Sequence, residues 1–430
     1  MSTPAPDESA TPDTGADTVD PLDRDLLLDP YTGFGRIREQ APVARARNFD
    51  GSRIWLVTRH DDVRAVLDDP RFANDPTSVP GIDTDKRAEM LVQLGLPREY
   101  VRYLADSILD TDRPDHTRLR KLVSRTFTVR RVHELLPRVE EITAELLDTL
   151  PEHADSDGVV DLLEHFAYPL PITVICEMVG VPEEDRPLWR QWGNDLVRME
   201  SPEEMSEATV AMVEHIRALI AERRENPAGH LLDALIGVRD EDGDRLSEAE
   251  LITMVLTLVI AGHETTAHLI GNGTAALLTH PDQLAQLRSD PGLAPRAVHE
   301  LMRWCGPILV TRPRWATEDI ALADTVIPRG ESVQPILTSA NRDPRRFDDP
   351  ARLDITRAYD TRGEQHTGFG HGLHYCLGAA LARQEGEVAF TRLFERYPGL
   401  ALAVHEQDLE WMPRPGMRRL IKLPLRLGHG

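Results

Sequence analysis

The chain has 430 residues, 41% of them hydrophobic, which is enough to bury a large core. Its 72 acidic and 49 basic residues leave a formal charge of −23, a balance that argues against a nucleic-acid partner, which would want a basic face. The most apolar run, Leu251–Ala261, falls well short of the ~20 residues that span a bilayer, so no membrane anchor is expected.

Residues 1–20 are polar and rich in Ser, Thr, Pro, Ala and Asp. They read as a disordered tail with no signal-peptide core. Residues 21–430 show no internal repeat or linker and read as one domain. "RIWLVT", Arg53–Thr58, has the pattern of a strand. A helix is expected from Pro137, a favoured first helical position, through Val139, Ile142, Leu146, Leu147 and Leu150. Another is expected over Glu203–Arg223. The longest starts at Ser247, which with Glu250 fits a capping box, and runs to the stop at Pro281. That is roughly thirty residues, or about 50 Å of helix. It is apolar nearly all round in its first half, as expected of a helix crossing the middle of a protein. Asp319–Leu337 reads as short strands with a Pro-Arg-Gly turn. The fold class is therefore mainly α with a minor β part. The three cysteines, Cys176, Cys305 and Cys376, are too far apart for a disulfide framework and point to a reducing, cytoplasmic compartment.

Four places concentrate chemistry. The first is "GFGHGLHYCLG", Gly368–Gly378, a glycine-rich loop with Cys376 just before a helical run. Read alone, it allows a buried structural cysteine, a zinc site from His366, His371, His374 and Cys376, or an iron porphyrin held by one thiolate. Structural zinc usually shows paired ligands such as Cys-x₂₋₄-Cys, and none occur here. A thiolate would gain from the following helix N-terminus, and Gly372 and Gly378 would let backbone and a flat macrocycle approach. The second is "AGHETT", Ala261–Thr266, in the middle of the long helix. His263 and His268 are five residues apart, so they do not make the i, i+4 pair of a zinc protease. Glu264 and Thr265 remain, and a glutamate inside an apolar helix needs a partner or a function. The third is "HELMRW", where Glu300 and Arg303 share a helix face. The fourth is a set of cations. "DHTRLRKLVSR" puts His116 and Arg120 on one face of a helix and Arg118, Lys121 and Arg125 on another. "RWATED" supplies Arg314, with Arg312 as a competitor two residues away.

The cysteine loop resembles the haem-binding signature Phe-x-x-Gly-x-His/Arg-x-Cys-x-Gly of the cytochrome P-450 superfamily, with Phe369, Gly372, His374, Cys376 and Gly378 at its fixed positions. The likeness extends from about Leu22 to the C-terminus and is closest to soluble bacterial, actinomycete-type members. It implies a single-domain P-450 fold with the long helix over haem b (iron protoporphyrin IX). By the resemblance, Cys376 is the axial thiolate ligand, and His116, Arg120, Arg314 and His374 hold the two haem propionates. Glu264 and Thr265 match the family's acid–alcohol pair, which handles protons and dioxygen. Glu300 and Arg303 match its Glu-x-x-Arg, with Arg357 in "FDDPARLDITR" as third partner; Leu353 stands where phenylalanine is more usual.

The resemblance implies a monooxygenase that takes dioxygen and two external electrons to hydroxylate or otherwise oxidise a small-to-medium organic molecule in secondary metabolism. The electrons would come from a ferredoxin served by an NAD(P)H-dependent reductase, docking near Arg118, Lys121 and Arg125. The enzyme would be a monomer. Two rivals are a peroxygenase using hydrogen peroxide, which typically lacks the acid–alcohol pair, and a non-enzymatic P-450-like activator, which lacks the cysteine. The pocket would draw on Phe72–Asp110, Arg186–Met212, the first half of the long helix and Pro307–Val310. Its mostly aliphatic residues suit a bulky aliphatic or polyketide-like molecule.

Overall fold

Ser247 starts the longest helix as its spacing predicts. Its hydroxyl accepts the Glu250 backbone N–H at 3.3 Å, and the Glu250 carboxylate accepts the Ser247 N–H at 2.7 Å. Two N–H groups that no turn of helix can satisfy are thereby bonded. The helix runs over Glu248–Thr279. His280 caps its end, and Pro281 opens the next helix, Pro281–Ser289. The computed structural model describes residues 19–47, 52–82, 86–198, 201–240, 243–358 and 364–428.

Around the long helix pack the helices Pro169–Val179, Ala294–Cys305 and Ala379–Arg396. Bare backbone makes this close packing possible. A Cβ on Gly271 would lie 2.4 Å from Leu163 Cδ2, and one on Gly273 would lie 2.5 Å from Phe390 Cζ. The helix is therefore fixed in height and rotation by its neighbours, and so are the residues it presents to the site.

The helix expected from Pro137 begins earlier and spans Val129–Thr149, with Pro137 inside it. Thr128 caps it by accepting the Arg131 N–H at 3.2 Å. A mid-helix proline removes one backbone bond, and burial of Val132, Val139, Ile142 and Leu147 outweighs that loss. The helix expected over Glu203–Arg223 spans Pro202–Glu225, capped by Ser201.

The minor β part is led by a five-stranded sheet in the spatial order Val43–Arg47, Arg53–Val57, Ser332–Pro335, Arg314–Ala316, Phe72–Ala73. Only the pairing of Arg53–Val57 with Ser332–Pro335 is parallel. The hairpin Ile320–Leu322 and Thr325–Ile327 lies beside it in sequence, and Gly330 of the Pro-Arg-Gly turn has φ +85°. Residues 1–18 of the expected tail lie outside the described residues. Val19, assigned to that tail, instead pairs with Ala46 in a parallel bridge, its N–H reaching Arg45 O at 3.0 Å. The architecture is mainly helical with small sheets, and among the described residues no helix is long and apolar enough to cross a membrane.

Gly273→Val tests how tightly the long helix is seated. The added carbons meet Phe390 and Leu301, and overpacking of this kind costs about 1–3 kcal/mol. A lower denaturant midpoint with unchanged slope is expected; an unchanged midpoint would show that the contact is loose.

Candidate active site

Local backbone rules shape the cysteine loop. Gly370 and Gly372 have φ of +76° and +67°, which β-carbon-bearing residues rarely adopt. A Cβ on Gly372 would sit 2.6 Å from Leu67 O. Gly372 is thus required by a neighbouring helix end as well as by the loop. The Cys376 N–H donates to Phe369 O at 2.9 Å, closing the loop, and Gly378 caps the helix Ala379–Arg396. Burial pushes the Cys376 thiol up, while the Gly378 N–H at that helix start and the Arg120 guanidinium pull it down. Both effects favour a sulfur anion. Cys176 and Cys305 also have arginines nearby, but burial outweighs them and pushes each up to about 12.

Beside the loop stand two histidines and two arginines, His116, His374, Arg120 and Arg314. The rings of His116 and His374 are 4.2 Å apart. Burial, then neighbouring positive charge, lowers His116 to about 4 and His374 to about 2. Arg314 is 5% exposed, and burial drags it down to about 10. His116 Nδ1 and Arg314 Nε are buried with no hydrogen-bond partner among the described residues. Arg120 lies close enough to act on both His116 and Cys376. Donors of this kind, clustered and orphaned, fit a group carrying two carboxylates. Arg312 pairs with Asp110, which Arg87 also engages, and its side chain is 50% exposed. It precedes the strand Arg314–Ala316, so strand alternation does not put it on the same face as Arg314. Asn74 was not foreseen in the sequence. Its side chain contacts His374 Nε2 at 2.5 Å, and its backbone N–H is held by Asp112 at 3.0 Å.

Glu264 and Thr265 are adjacent on the long helix but turn in different directions. Thr265 is half-buried, and its hydroxyl donates to Ala261 O at 2.7 Å. Glu264 is 7% exposed and pairs with Arg419. His268 Nε2 lies 3.7 Å from the same carboxylate and 3.0 Å from the Tyr168 hydroxyl. The buried glutamate therefore has partners. His268 lies five residues from His263 but four from Glu264, which puts His268 and Glu264 on one face. Arg419 carries no local signal at all. His263 is fully buried, neither ring nitrogen has a hydrogen-bond partner among the described residues, and burial lowers it to about 4.

Glu300, Arg303 and Arg357 meet. Arg303 donates twice to Glu300, both bonds 2.7 Å, and neither side chain is exposed at all. Its remaining N–H groups reach the carbonyls of Asn341, Pro350 and Arg352 at 2.8–3.0 Å. Arg357 Nε sits 3.2 Å from Glu300 and its Nη1 donates to Asp348 O at 2.8 Å. Leu353 is buried within this segment.

One expectation changes. The basic face of the helix Asp115–Thr126 is not an open patch, because Arg118 pairs with Asp244 and Glu250 and Lys121 lies 3.6 Å from Asp240. Arg125 donates to Arg239 O at 2.7 Å. Acidic residues leading into the long helix thus neutralise much of that charge. The zinc set His366, His371, His374 and Cys376 does not converge either; among the described residues the ligand atoms that cluster within 4.8 Å are those of His299, Glu364 and His366.

The cytochrome P450 family profile matches residues 186–291 and 292–415. The chain is 48% identical to "Cytochrome P450 107B1" of Saccharopolyspora erythraea, over 95% of this chain and 97% of that protein. It is 44% identical to the "6-deoxyerythronolide B hydroxylase" of the same organism, over 95% and 99%. The solved structure of the Bacillus subtilis bacillaene polyketide synthase cytochrome P450 PksS superposes with a TM-score of 0.85 at 35% identity, over 95% of this chain and 99% of that one. Likeness of this extent, carried by sequence and backbone alike, makes the chain a member of the cytochrome P450 family.

Proposed function

We propose that the protein is a haem-thiolate monooxygenase of secondary metabolism that hydroxylates a bulky aliphatic, polyketide-like molecule. Membership of the family makes it an oxygen-incorporating oxidoreductase. The observation that carries the finer reading is the meeting of Cys376, at a helix N-terminus, with the nitrogen donors of His116, Arg120, Arg314 and His374, of which His116 Nδ1 and Arg314 Nε are buried without a hydrogen-bond partner among the described residues. When bound, haem b would supply dioxygen activation and oxygen transfer to carbon.

The chain's own residues do the rest. Cys376 would ligate the iron, with the Gly378 N–H on its sulfur. His116, Arg120, Arg314 and His374 would take the propionates, whose negative charge would answer the two guanidiniums and favour protonation of the imidazoles. Phe369, a buried residue of the loop whose carbonyl accepts the Cys376 N–H, would help keep water from the sulfur. Glu300, Arg303 and Arg357 hold the segment that leads into the loop. Thr265 would exchange its bond to Ala261 O for one that offers its hydroxyl to oxygen in the site. Glu264 supplies the proton, by turning from Arg419 or through ordered water. Leu258, Ile308, Leu309 and Val310 are apolar side chains in the segments assigned to the pocket. The hydroxylase named above acts, by its name, on 6-deoxyerythronolide B, and this supports an aliphatic, polyketide-like substrate. Electrons come from a small ferredoxin with its NAD(P)H-dependent reductase, and the enzyme works as a monomer. The Glu264–Thr265 pair favours dioxygen over hydrogen peroxide as oxidant, and Cys376 disfavours the non-enzymatic activator.

Three measurements test this. The carbon-monoxide complex of reduced wild-type protein should show the strongly red-shifted Soret band of thiolate ligation. Cys376→His should shift that band to the histidine-ligated position, and an unmoved band would refute the assignment. Thr265→Ala should bind haem and substrate normally yet release most electrons as peroxide or water, with product formation down by ~10²-fold or more; full coupling would exclude the role. Glu300→Gln should cost about 3–5 kcal/mol, because two arginines lose their buried counter-charge. Its haem should be lost at lower denaturant than in the wild type, and equal retention would remove the triad from the support of the loop.

A further inference from the structure

Arg383 and Glu364 border the cysteine loop, and the mechanism above uses neither. Arg383 lies early in the helix Ala379–Arg396. Its guanidinium pairs with Glu364, comes within 3.4 Å of the Tyr375 hydroxyl, and stacks 5.6 Å from the centre of the Phe369 ring. Tyr375 immediately precedes Cys376, and Phe369 O accepts the Cys376 N–H. Arg383 therefore touches the loop on both sides of the cysteine. Glu364 is largely buried, its side chain 12% exposed, and its Oε2 has no hydrogen-bond partner among the described residues.

His299 and His366 complete the cluster, and proton accounting shows what it is. The Gly368 N–H donates to His366 Nδ1 at 3.1 Å, so that nitrogen carries no hydrogen. In the neutral ring the hydrogen is then on Nε2, which donates to His299 Nδ1 at 3.1 Å. Burial keeps both rings neutral, lowering His299 to about 4 and His366 well below its ordinary value. No lone pair of His366 is left for a cation, and Arg383 already occupies Glu364. The clustered ligand atoms thus form a hydrogen-bonded frame rather than a metal site. The frame carries one positive and one negative charge.

We infer that Arg383 and Glu364 are positioning residues that set the electrostatic field at the Cys376 thiolate, and with it the reduction potential of the haem. The inference rests on the haem-thiolate reading above. The two charges act on the sulfur with opposite signs: Arg383 favours its anion and Glu364 opposes it. Low local dielectric makes such fixed charges count.

The experiment is a charge cycle on the haem-loaded full chain, read as reduction potential by spectroelectrochemistry at pH 8, well above the ordinary carboxylate range. Removing a negative charge near the iron stabilises the reduced state. Glu364→Gln should therefore raise the potential, and Arg383→Gln should lower it. The double variant should return close to wild type, and Arg383→Lys should recover most of the loss. A purely structural role predicts shifts in one direction for both single variants and a larger shift for the double, and that pattern would overturn the proposal. If Arg383→Gln loses the red-shifted carbon-monoxide band, Glu364→Gln against Glu364→Asp decides: a rise in the first alone supports the proposal, and equal potentials overturn it. A wild-type complex without that band would overturn the haem reading and this inference with it. A wild-type band with unmoved potentials would overturn this inference alone.

Discussion

The structure depends first on a carboxylate that water cannot reach. Glu300 is fully buried, and an ionised carboxylate there is tolerable only because Arg303 meets it with two parallel bonds and Arg357 approaches from another segment. The Asp354 backbone N–H adds a further donor at 2.9 Å. Arg303 then spends its other N–H groups on carbonyls of residues 341–352. One ion cluster thus fixes a long irregular segment onto the helix Ala294–Cys305. Such a segment has few backbone partners of its own, so its buried polar groups must be bonded from outside.

The loop beyond it inherits that fixed starting point. Asn341 accepts the Thr367 N–H and hydroxyl at 2.7 and 2.9 Å, and Cys376 closes back on Phe369. Gly372 lies tight against Leu67 O. Each contact removes a freedom from the cysteine before any ligand binds. Preorganisation of this kind lowers the ordering cost of holding a ligand.

Charge placement separates the two faces of the site. On the loop side, nitrogen donors gather with no carboxylate ion pair among the described residues, and burial lowers His116, His374 and Arg314. That is an incomplete arrangement, suited to a dianionic group. On the long helix the opposite holds: Glu264 is bound by Arg419 and approached by His268, while Thr265 is satisfied by its own backbone. Function there requires existing bonds to open. The helix can host both because its glycines let it lie against Leu163 and Phe390 while its polar residues turn elsewhere.

The sequence by itself determined what depends on near neighbours. The capping box at Ser247 and Glu250, the stop at Pro281, the Pro-Arg-Gly turn and the spacing of the cysteine loop are set by residues within a few positions of each other. So is the pairing of Glu300 with Arg303, one turn apart on a helix. The tertiary structure decided what depends on distant segments. Pro137 looked like a helix start, but burial of the flanking apolar face carried the helix through it. Arg419 reaches Glu264, Asn74 reaches His374, and Asp240, Asp244 and Glu250 reach the cations of the helix Asp115–Thr126. No periodicity encodes such partners. A charged group's partner is chosen by which folded surfaces meet, because a charge removed from water must be paired wherever the chain brings an opposite charge within reach.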